Sequence, residues 1–415
     1  MKYVITGAST FAVSNMGDDA MLACMVQSLY REDPDAEIVF IARHPSQEYD
    51  ELFGIYGIKN LDHESNKAAE GRIFLGFNRG DSGENLLEIK KYIEDADLLI
   101  FGGNSIMEVS KNTFLKGVSS YCSTLAILAK FCGTPYALFG LNIVDPIRDE
   151  LTKEHAKFLC ENAIAVTVRE DVVLKYLSDI GVSTSNTVVS GDPAFGMEVD
   201  ETIDPVNILK NNNIILNTDK KIISIGYRFE YWLDDENLFH KNAEKIAEFI
   251  DLIIESFDSE ILFIPNCTYT QGNKWEDDRL VNDIIRSKLK HKENCHFITQ
   301  ELNVYETFRL FLLTDLHISN RRHANAFAVM NGKPFLSISI SLATHMSALL
   351  DTLESPDLEL SLQLEVDSLI EKVNFVFSEE EKISSRLLEK SLLLKEQAQQ
   401  HIPIIIAALQ AQEMS

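Results

Sequence analysis

Short apolar strands alternate with amphipathic helices along most of this 415-residue chain, and this alternation constrains the fold more than any other feature. Residues 314–340 show the repeating unit, in which an apolar strand, a polar turn, a helix of small residues and a second apolar strand follow one another. Strands that alternate with helices predict parallel sheets with helices on their faces. Because two runs of similar length repeat this pattern, we predict an α/β protein with two facing Rossmann-like domains and a central cleft.

Composition marks the boundary between the two runs. Residues 201–219 are rich in Asn and Asp and contain a proline, which is typical of a connection between domains. We therefore predict Rossmann-like domains at residues 1–200 and 220–378, joined by a linker at 201–219. Helical patterns in residues 379–415 predict a C-terminal helical segment that crosses back onto the first domain.

The chain is strongly acidic, with a formal net charge of −26. A general nucleic-acid surface would be basic, so we predict no nucleic-acid partner. In a protein with this charge, a local group of arginines is informative, because an anionic ligand must be held there against the overall electrostatic field.

Cysteine usage and apolar runs bear on the location of the protein. The six cysteines are scattered in mostly apolar contexts and form no CxxC pair, which predicts buried free thiols in a reducing compartment. The first nine residues are typical of a strand rather than a signal peptide, and the longest apolar runs are too short to span a bilayer. We therefore predict a cytoplasmic protein, and a peripheral association with the inner face of the membrane stays open.

Two arginines and a histidine, Arg321, Arg322 and His323, stand between the first strand and the helix of the 314–340 unit. In open α/β sheets, ligands bind at the carboxyl ends of strands, and helix N-termini favour anions. Arginine side chains bind phosphate or carboxylate through charge-assisted hydrogen bonds. The pattern indicates an anion site, and the alternative is a solvated basic loop.

The first strand–helix turn carries further polar candidates. Asn15 and Asp18 stand just before and within the first turn of a predicted helix, and Asp19 follows. Carboxylates at such a position often serve only to cap the helix and complement its dipole. The functional alternative is that Asn15 and Asp18 bind a sugar, or that one carboxylate takes part in acid–base chemistry.

Two other strand ends carry residues of interest. Gly102 and Gly103, followed by Asn104, end a buried strand, where paired glycines allow close approach of a ligand or simply form a tight turn. Arg169 stands at a strand end directly before a helix, as Arg321 does. Its alternatives are an anion contact or a surface salt bridge to the carboxylates that follow it.

Several well-known chemistries lack their motifs in this sequence. GxGxxG does not follow the first strand, which disfavours a classical dinucleotide-binding fold, and GxxxxGK[ST] is absent, which excludes a P-loop enzyme. HExxH, clustered Cys and His ligands and the GxSxG elbow are absent as well. We predict no cofactor and no bound metal.

Seven short motifs, taken in order, resemble those of the polysaccharide pyruvyl transferase family. They are residues 15–20 (NMGDDA), 97–105 (DLLIFGGNS), 133–135 (GTP), 166–171 (VTVRED), 191–194 (GDPA), 319–324 (SNRRHA) and 332–334 (GKP). They cover nearly the whole chain to about residue 340. The sequence departs from the family pattern at Asp19, where Glu is usual, at Asn104, where a third Gly is usual, and at Arg322, where Leu is commoner.

This resemblance implies a GT-B-like fold and a specific reaction. Members of the family transfer a pyruvyl group from phosphoenolpyruvate to two hydroxyls of a hexose, which yields a cyclic ketal and phosphate. The resemblance implies that phosphoenolpyruvate is the donor substrate, held by Arg169, Arg321 and His323 on the side of the C-terminal domain. Arg228, in the loop after the first strand of that domain, is a further candidate for binding the donor.

The acceptor is implied to be a hexose-containing glycan, or its lipid-linked or nucleotide-linked precursor, bound on the side of the N-terminal domain. The implied acceptor-site residues are Asn15, Asp18, Gly102, Gly103 and Asn104. The reaction needs an acid near the methylene carbon and a base near the hydroxyls. His323 is the candidate acid or phosphate partner, because histidine as a residue type can gain or lose a proton near neutral pH, and Asp18 is the candidate acceptor-side carboxylate.

Two alternatives stay open. A nucleotide-sugar glycosyltransferase of GT-B fold would bind a nucleoside diphosphate and ignore phosphoenolpyruvate. A diverged, non-catalytic relative would keep its biological role without Arg169 or Arg321. The sequence does not determine the oligomeric state.

Overall fold

The computed structural model describes residues 1–7, 14–42, 44–60, 72–74, 77–78, 84–102, 118–143, 146–230, 235–270, 274–339 and 344–414. These residues cluster into two compact units. Unit 1 comprises the described parts of Met1–Val13, Asp18–Glu198 and Leu394–Ser415. Unit 2 comprises Ser14–Gly17 and the described parts of Val199–Leu393.

Unit 1 is built around a parallel sheet. Its strands in the described residues are β1 (Lys2–Thr6), β2 (Glu37–Ala42), β3 (Tyr56–Lys59), β4 (Arg72–Phe74), β5 (Phe77–Asn78), β6 (Leu98–Gly102), β7 (Tyr136–Leu141), β8 (Val166–Val168) and β9 (Thr187–Val189). Seven of these strands pair in parallel in the order β3-β2-β1-β6-β7-β8-β9, and β4 pairs with β5 in antiparallel fashion. Every residue of β6 and β7 is buried, as expected for central strands covered on both faces.

The first helices of the chain flank this sheet. They are α1 (Met16–Glu32), α2 (Gln47–Phe53), α3 (Glu84–Glu94), α4 (Val118–Cys132), α5 (Glu150–Asn162) and α6 (Asp171–Asp179). Their apolar faces and the sheet form the core of the unit, in which the rings of Phe101 and Tyr136 meet edge to face at 5.6 Å. The first two residues of α1 cluster with unit 2, and the rest of the helix with unit 1.

Unit 2 contains a second parallel sheet. Its strands are β10 (Lys221–Gly226), β11 (Ser259–Phe263), β12 (Cys295–Phe297), β13 (Leu316–Ser319), β14 (Phe335–Ser339) and β15 (Glu359–Ser361). Within the described residues they pair in parallel in the order β12-β11-β10-β13-β14-β15. The helices that alternate with these strands or lie before and after them are α7 (Pro205–Asn211), α8 (Glu236–Phe257), α9 (Asp278–Lys288), α10 (Val304–Leu310), α11 (Arg322–Met330), α12 (Thr344–Thr352), α13 (Val366–Ser378) and α14 (Glu380–Ala398).

Residues 201–219, predicted as the linker, include α7 and are bound to unit 2. The guanidinium of Arg309 donates to the backbone carbonyls of Ile203 (2.9 Å) and Glu201 (3.0 Å). Asn212 ends α7, and its side-chain oxygen accepts from the backbone N–H of Gln300 at 3.2 Å. Residues 201–219 therefore belong to unit 2.

The last helix, α15 (His401–Glu413), returns to unit 1 and packs against β7 and β8. The end of α14 approaches the same unit closely. A Cβ added at Gly196 would lie 2.5 Å from Cys24 Sγ and 3.2 Å from Ala398 Cβ, so the helix end fits only because residue 196 has no side chain. The prediction that the C-terminal helical segment crosses back to the first domain is confirmed.

The predicted free thiols are also seen. All six cysteines are free, and five of them are buried, whereas Cys132 is partly exposed. Among the helices of the described residues, none is both long and apolar enough to cross a membrane.

His317 and His401 are fully buried in the packing of the units. His317, in β13, shares a 2.8 Å hydrogen bond with Ser224, and burial lowers its pKa to about 3. His401, at the start of α15, shares a 3.1 Å hydrogen bond with the carbonyl of Gly191, and burial lowers its pKa to about 4. Both side chains are therefore neutral in the folded protein near neutral pH.

These histidines predict acid sensitivity. In the unfolded chain their pKa returns to about 6.5, so below that pH the unfolded state binds more protons than the folded state. The full contribution to stability is present above pH 6.5 and is lost as the pH falls through the folded-state pKa values of about 4 and about 3. We expect the free energy of unfolding to fall by up to about 1.4 kcal/mol per pH unit for each histidine.

Urea unfolding between about pH 4.5 and pH 7.5 measures this slope. His401→Gln, which keeps a donor for the Gly191 carbonyl, should make the slope shallower. His240 is exposed, and His240→Gln should leave the slope unchanged. An equal slope in the His401 variant and the wild type would contradict the prediction.

Candidate functional site

The site in unit 2 begins where two neighbouring strands end. Gly226 of β10 and Ser319 of β13 face each other in the parallel register. The Ser319 hydroxyl donates to the Gly226 carbonyl at 2.5 Å and accepts from the backbone N–H of Arg321 at 2.8 Å. A Cβ at residue 226 would lie 2.9 Å from that hydroxyl, so glycine permits the close approach of the two strand ends. Ligands of open α/β sheets bind at such strand ends.

Arg321 is the N-cap residue of α11, and only 7% of its surface is exposed. Its Nη2 donates to Asp278 Oδ1, whereas its Nε is buried without a hydrogen-bond partner among the residues that the structure describes. Burial is the largest influence on its pKa and lowers it, but Asp278, followed by Cys267, outweighs burial, so that the pKa is raised. Arg321 is thus a permanent buried cation whose Nε–H has no hydrogen-bond partner among the described residues.

Asp278 is the counter-ion that holds this arginine. It is the first residue of α9, and 2% of its surface is exposed. Its Oδ2 accepts from the backbone N–H groups of Asn266 (2.9 Å) and Cys267 (3.0 Å), both in the loop after β11. One carboxylate therefore fixes both the guanidinium of Arg321 and the path of that loop.

Arg228 lies beside this pair in the loop after β10. The side chain of Asn320 fixes its backbone, because Oδ1 accepts from the Arg228 N–H at 2.8 Å and Nδ2 donates to the Arg228 carbonyl at 2.9 Å. Desolvation, followed by repulsion from Arg321, lowers the pKa of Arg228 to about 10. Both arginines are therefore charged at neutral pH and near enough to repel each other, a situation that a bound anion would relieve.

His323 is the second residue of α11 and packs on Gly17. A Cβ added at Gly17 would lie 2.0 Å from His323 Nδ1, a distance at which no side-chain atom fits. Gly17 reaches this position because its segment pairs with unit 2: Met16 N–H donates to the Asn266 carbonyl at 2.9 Å. Within the segment, Asn15 Oδ1 accepts from the Gly17 N–H at 3.3 Å. Unit 2 thus contains Asn15, Arg228, Arg321 and His323 of the residues predicted from the sequence.

Arg169, predicted to hold the donor, belongs to unit 1. It lies inside this unit rather than at its surface, with 7% of its surface exposed. Its Nε donates to the Gly140 carbonyl at 3.0 Å, its Nη2 contacts the Met21 sulfur at 2.7 Å, and its Nη1 lies 3.7 Å from Asp192. These contacts fix the guanidinium at the carboxyl ends of β7 and β8. Its role toward a ligand stays a prediction.

The predicted acceptor-side residues other than Asn15 also belong to unit 1. Asp18 is buried in the first turn of α1, and the neighbouring Asp19 accepts from the Tyr49 hydroxyl at 2.6 Å. Gly102 is the last residue of β6. Gly103 and Asn104 lie outside the described residues. The acceptor roles of these residues stay predictions.

The structure adds residues that the sequence did not indicate. Asp278 holds Arg321, the Asn266 carbonyl accepts from Met16 at the start of α1, and Asn320 holds Arg228. Asp278 follows another aspartate at a helix start, and the chain has 64 acidic residues, so no local pattern distinguishes it from a capping carboxylate. Within the described residues, no group of three His, Cys, Asp or Glu side chains is arranged to hold a metal ion.

A sequence model of the family described as polysaccharide pyruvyl transferase matches residues 15–341. This chain belongs to the polysaccharide pyruvyl transferase family. It is therefore a transferase, and the family match includes the Asn15–Gly17 segment, Arg169 and the Arg321–His323 turn. The resemblance predicted from the motifs is confirmed.

One curated relative and several solved structures are similar to this chain along most of its length. The amylovoran biosynthesis protein AmsJ of Erwinia amylovora is 26% identical over 407 residues, covering 93% of this chain and 94% of AmsJ. A UDP-GlcNAc 2-epimerase from Neisseria meningitidis bound to UDP-GlcNAc superposes with a TM-score of 0.62 at 12% identity, covering 98% of this chain and 100% of the epimerase. A glycosyltransferase from Rickettsia africae gives 0.59 at 12% identity, covering 98% of each chain. These structural likenesses confirm the predicted α/β fold of GT-B type.

Proposed function

We propose that this pyruvyl transferase moves a pyruvyl group from phosphoenolpyruvate to two hydroxyls of a hexose in a surface polysaccharide or its precursor. The products are a cyclic ketal and phosphate. Family membership supports pyruvyl transfer. The observation that carries the choice of donor is the buried guanidinium of Arg321, whose Nε is without a partner among the described residues at the start of α11.

Phosphoenolpyruvate fits this arrangement by charge. It has a phosphate and a carboxylate, and unit 2 offers Arg321 and Arg228, two neighbouring cations whose charges repel each other. Cations in a partly desolvated site bind anions more strongly than cations in water, because the effective dielectric constant is lower. The N–H groups in the first turn of α11 and the dipole of that helix also favour an anion.

The proposed chemistry proceeds in two additions at one carbon. A proton is added to the methylene carbon of phosphoenolpyruvate, and the oxygen of one sugar hydroxyl bonds to C2 as that hydroxyl loses its proton. The second hydroxyl then bonds to C2, loses its proton and displaces phosphate by cleavage of the C2–O bond. His323 is the proposed acid or phosphate partner, and Asp18 the proposed acceptor-side base.

The acceptor is proposed from the relatives. AmsJ takes part in amylovoran biosynthesis, as its name states, which supports a polysaccharide precursor for this chain as well. The Neisseria epimerase binds a nucleotide sugar, which is compatible with a nucleotide-linked acceptor, although a lipid-linked acceptor would serve the same chemistry. The free cysteines fit the proposed cytoplasmic location.

Thermal unfolding with phosphoenolpyruvate, UDP and GDP tests the donor. A ligand that binds only the folded protein stabilises it by about 2.7 kcal/mol at about a hundredfold excess over Kd. We expect phosphoenolpyruvate to raise the unfolding temperature of the wild type and to have no effect on Arg321→Ala. Arg286 is an exposed arginine on α9 that stacks on Phe297, and Arg286→Ala should respond as the wild type does.

The comparison within each variant, with and without ligand, matters more than the absolute unfolding temperature. Arg321→Ala leaves the buried carboxylate of Asp278 without its counter-ion and should itself be destabilised. A response of the wild type to UDP or GDP alone would replace the proposal with a nucleotide-sugar glycosyltransferase. No response to any ligand would favour a diverged protein, or one that binds the donor only after the acceptor.

A further inference from the structure

We infer that Asp278 is a positioning residue of the donor site, which orients the Arg321 guanidinium and ties the Ser14–Gly17 segment to the same strand ends. The inference rests on the proposed function, because Asp278 can act as a positioning residue only if Arg321 binds the donor. It concerns a residue outside every motif that the sequence offered.

The contacts of Asp278 exceed those of a capping residue. The N-cap of α9 is the preceding Asp277, whose Oδ1 accepts from the Arg279 N–H at 3.0 Å. Asp278 therefore does not cap the helix. Its Oδ1 accepts from Arg321, and its Oδ2 accepts from the backbone N–H groups of Asn266 and Cys267. A carboxylate with 2% exposure must be paired in this way, because an unpaired buried charge is strongly unfavourable.

The ion pair determines how the guanidinium is oriented. A guanidinium is a planar fork of five N–H donors, so a bond at Nη2 fixes the rotation of the whole group. With Nη2 bound to Asp278, the neighbouring Nε on the same edge of the guanidinium is buried without a hydrogen-bond partner among the described residues. Without the carboxylate, the guanidinium could turn, and the donor would have to order it at an entropic cost.

The same carboxylate reaches His323 through the loop after β11. The N–H groups of Asn266 and Cys267 are fixed on Oδ2. The carbonyl of Asn266 accepts from Met16, next to Gly17, on which His323 packs. Asp278 therefore connects two of the side chains proposed to hold phosphoenolpyruvate, although it contacts only one of them directly.

Calorimetric titration of phosphoenolpyruvate into Asp278→Asn tests the inference. Asparagine keeps the size and an acceptor oxygen but removes the charge that orients Arg321. We expect Kd to rise about tenfold or more, which corresponds to about 1.4 kcal/mol. Asp283, an exposed aspartate of α9, gives the matched control Asp283→Asn, for which Kd should stay within about twofold of the wild-type value.

A second control separates positioning from general weakening of unit 2. Ile253→Val removes one methylene from the buried face of α8 and should lower stability without changing Kd. If Asp278→Asn and Ile253→Val raise Kd equally, or if Asp278→Asn leaves it unchanged, the inference is overturned.

A double-mutant cycle tests the pair without any ligand. Asp278→Asn and Arg321→Gln each leave one buried charge unpaired, whereas the double variant leaves none and should fold even where a single variant does not. We expect the double variant to lose much less stability than the two single losses combined, and additive losses would overturn the inference. A wild type that ignores phosphoenolpyruvate would instead overturn the proposed function, and the donor role of Asp278 with it.

Discussion

Gly17→Ala should lower phosphate release from phosphoenolpyruvate by about a hundredfold or more while the protein stays folded. The added methyl group would occupy the position of the His323 imidazole, 2.0 Å from Nδ1. His323, the proposed acid, must then leave its position, and general acid–base catalysis is typically worth about 10² to 10⁴ in rate. Helix propensity acts in the opposite direction, because alanine is favoured over glycine by up to about 1 kcal/mol inside a helix.

The assay is phosphate release with hexose-containing lipid-linked and nucleotide-linked acceptors, supported by titration with phosphoenolpyruvate. His323→Ala provides the internal control, because it removes the ring that the methyl group would strike. If Gly17→Ala acts only by displacing His323, the variant that combines Gly17→Ala with His323→Ala should be no less active than His323→Ala alone. Gly133→Ala is a contrasting control, since nothing lies within 4 Å of the added Cβ; its φ of +80° should cost stability but not activity. Full turnover by Gly17→Ala would contradict the prediction.

Deletion of residues 394–415 should prevent unit 1 from folding. This stretch contributes four fully or nearly buried aliphatic side chains, Leu394, Ile402, Ile405 and Leu409, with 0–6% exposure. At about 1.5–3 kcal/mol each, their burial is worth roughly 6–12 kcal/mol. That amount is comparable to the entire stability of a typical domain, about 5–15 kcal/mol. The deletion also removes His401, which covers the end of β9 through Gly191.

Hydrogen exchange of the shortened protein gives the measurement, because it reports protection separately in each unit. We expect the β6 and β7 amides to lose protection, whereas those of β10 and β13 keep it. Deletion of Met414 and Ser415 is the control: Met414 is 83% exposed, and its loss should change neither unit. Protection of β6 and β7 at the wild-type level after the long deletion would show that the estimate of the packing energy is wrong.

Much of the fold could be predicted because its central strands are apolar along their whole length. β6 (LLIFG) and β7 (YALFGL) are buried at every residue, and their apolar sequences alone predict buried strands. β3 (YGIK) and β15 (ELS) are short, partly exposed and less apolar, so their sequences do not predict strands. Their strand conformation follows from hydrogen bonding to β2 and β14, which is a tertiary effect.

The candidate site was predictable where the chemistry is concentrated in a few consecutive residues. Arg321 and His323 were found because they stand between a strand and a helix. The place of Asn15 was not predictable, because it follows β1 in the sequence yet pairs with Cys267, far along the chain. Asp278 was missed for the same reason, since its partner Arg321 is 43 residues away and no local pattern reports the pair.

The return of α15 to unit 1 has a consequence for biosynthesis. A ribosome makes β1 long before α15, so the unit begun first lacks this helix until nearly 400 residues more have been synthesised, about the span from β1 to α15. Domains generally fold as units in the order of synthesis, but here the later unit can complete its sheet before the earlier one is covered. During that interval, the apolar surfaces that will receive residues 394–415 are exposed. We expect the nascent chain to depend on chaperones until α15 has been released from the ribosome and has packed on unit 1.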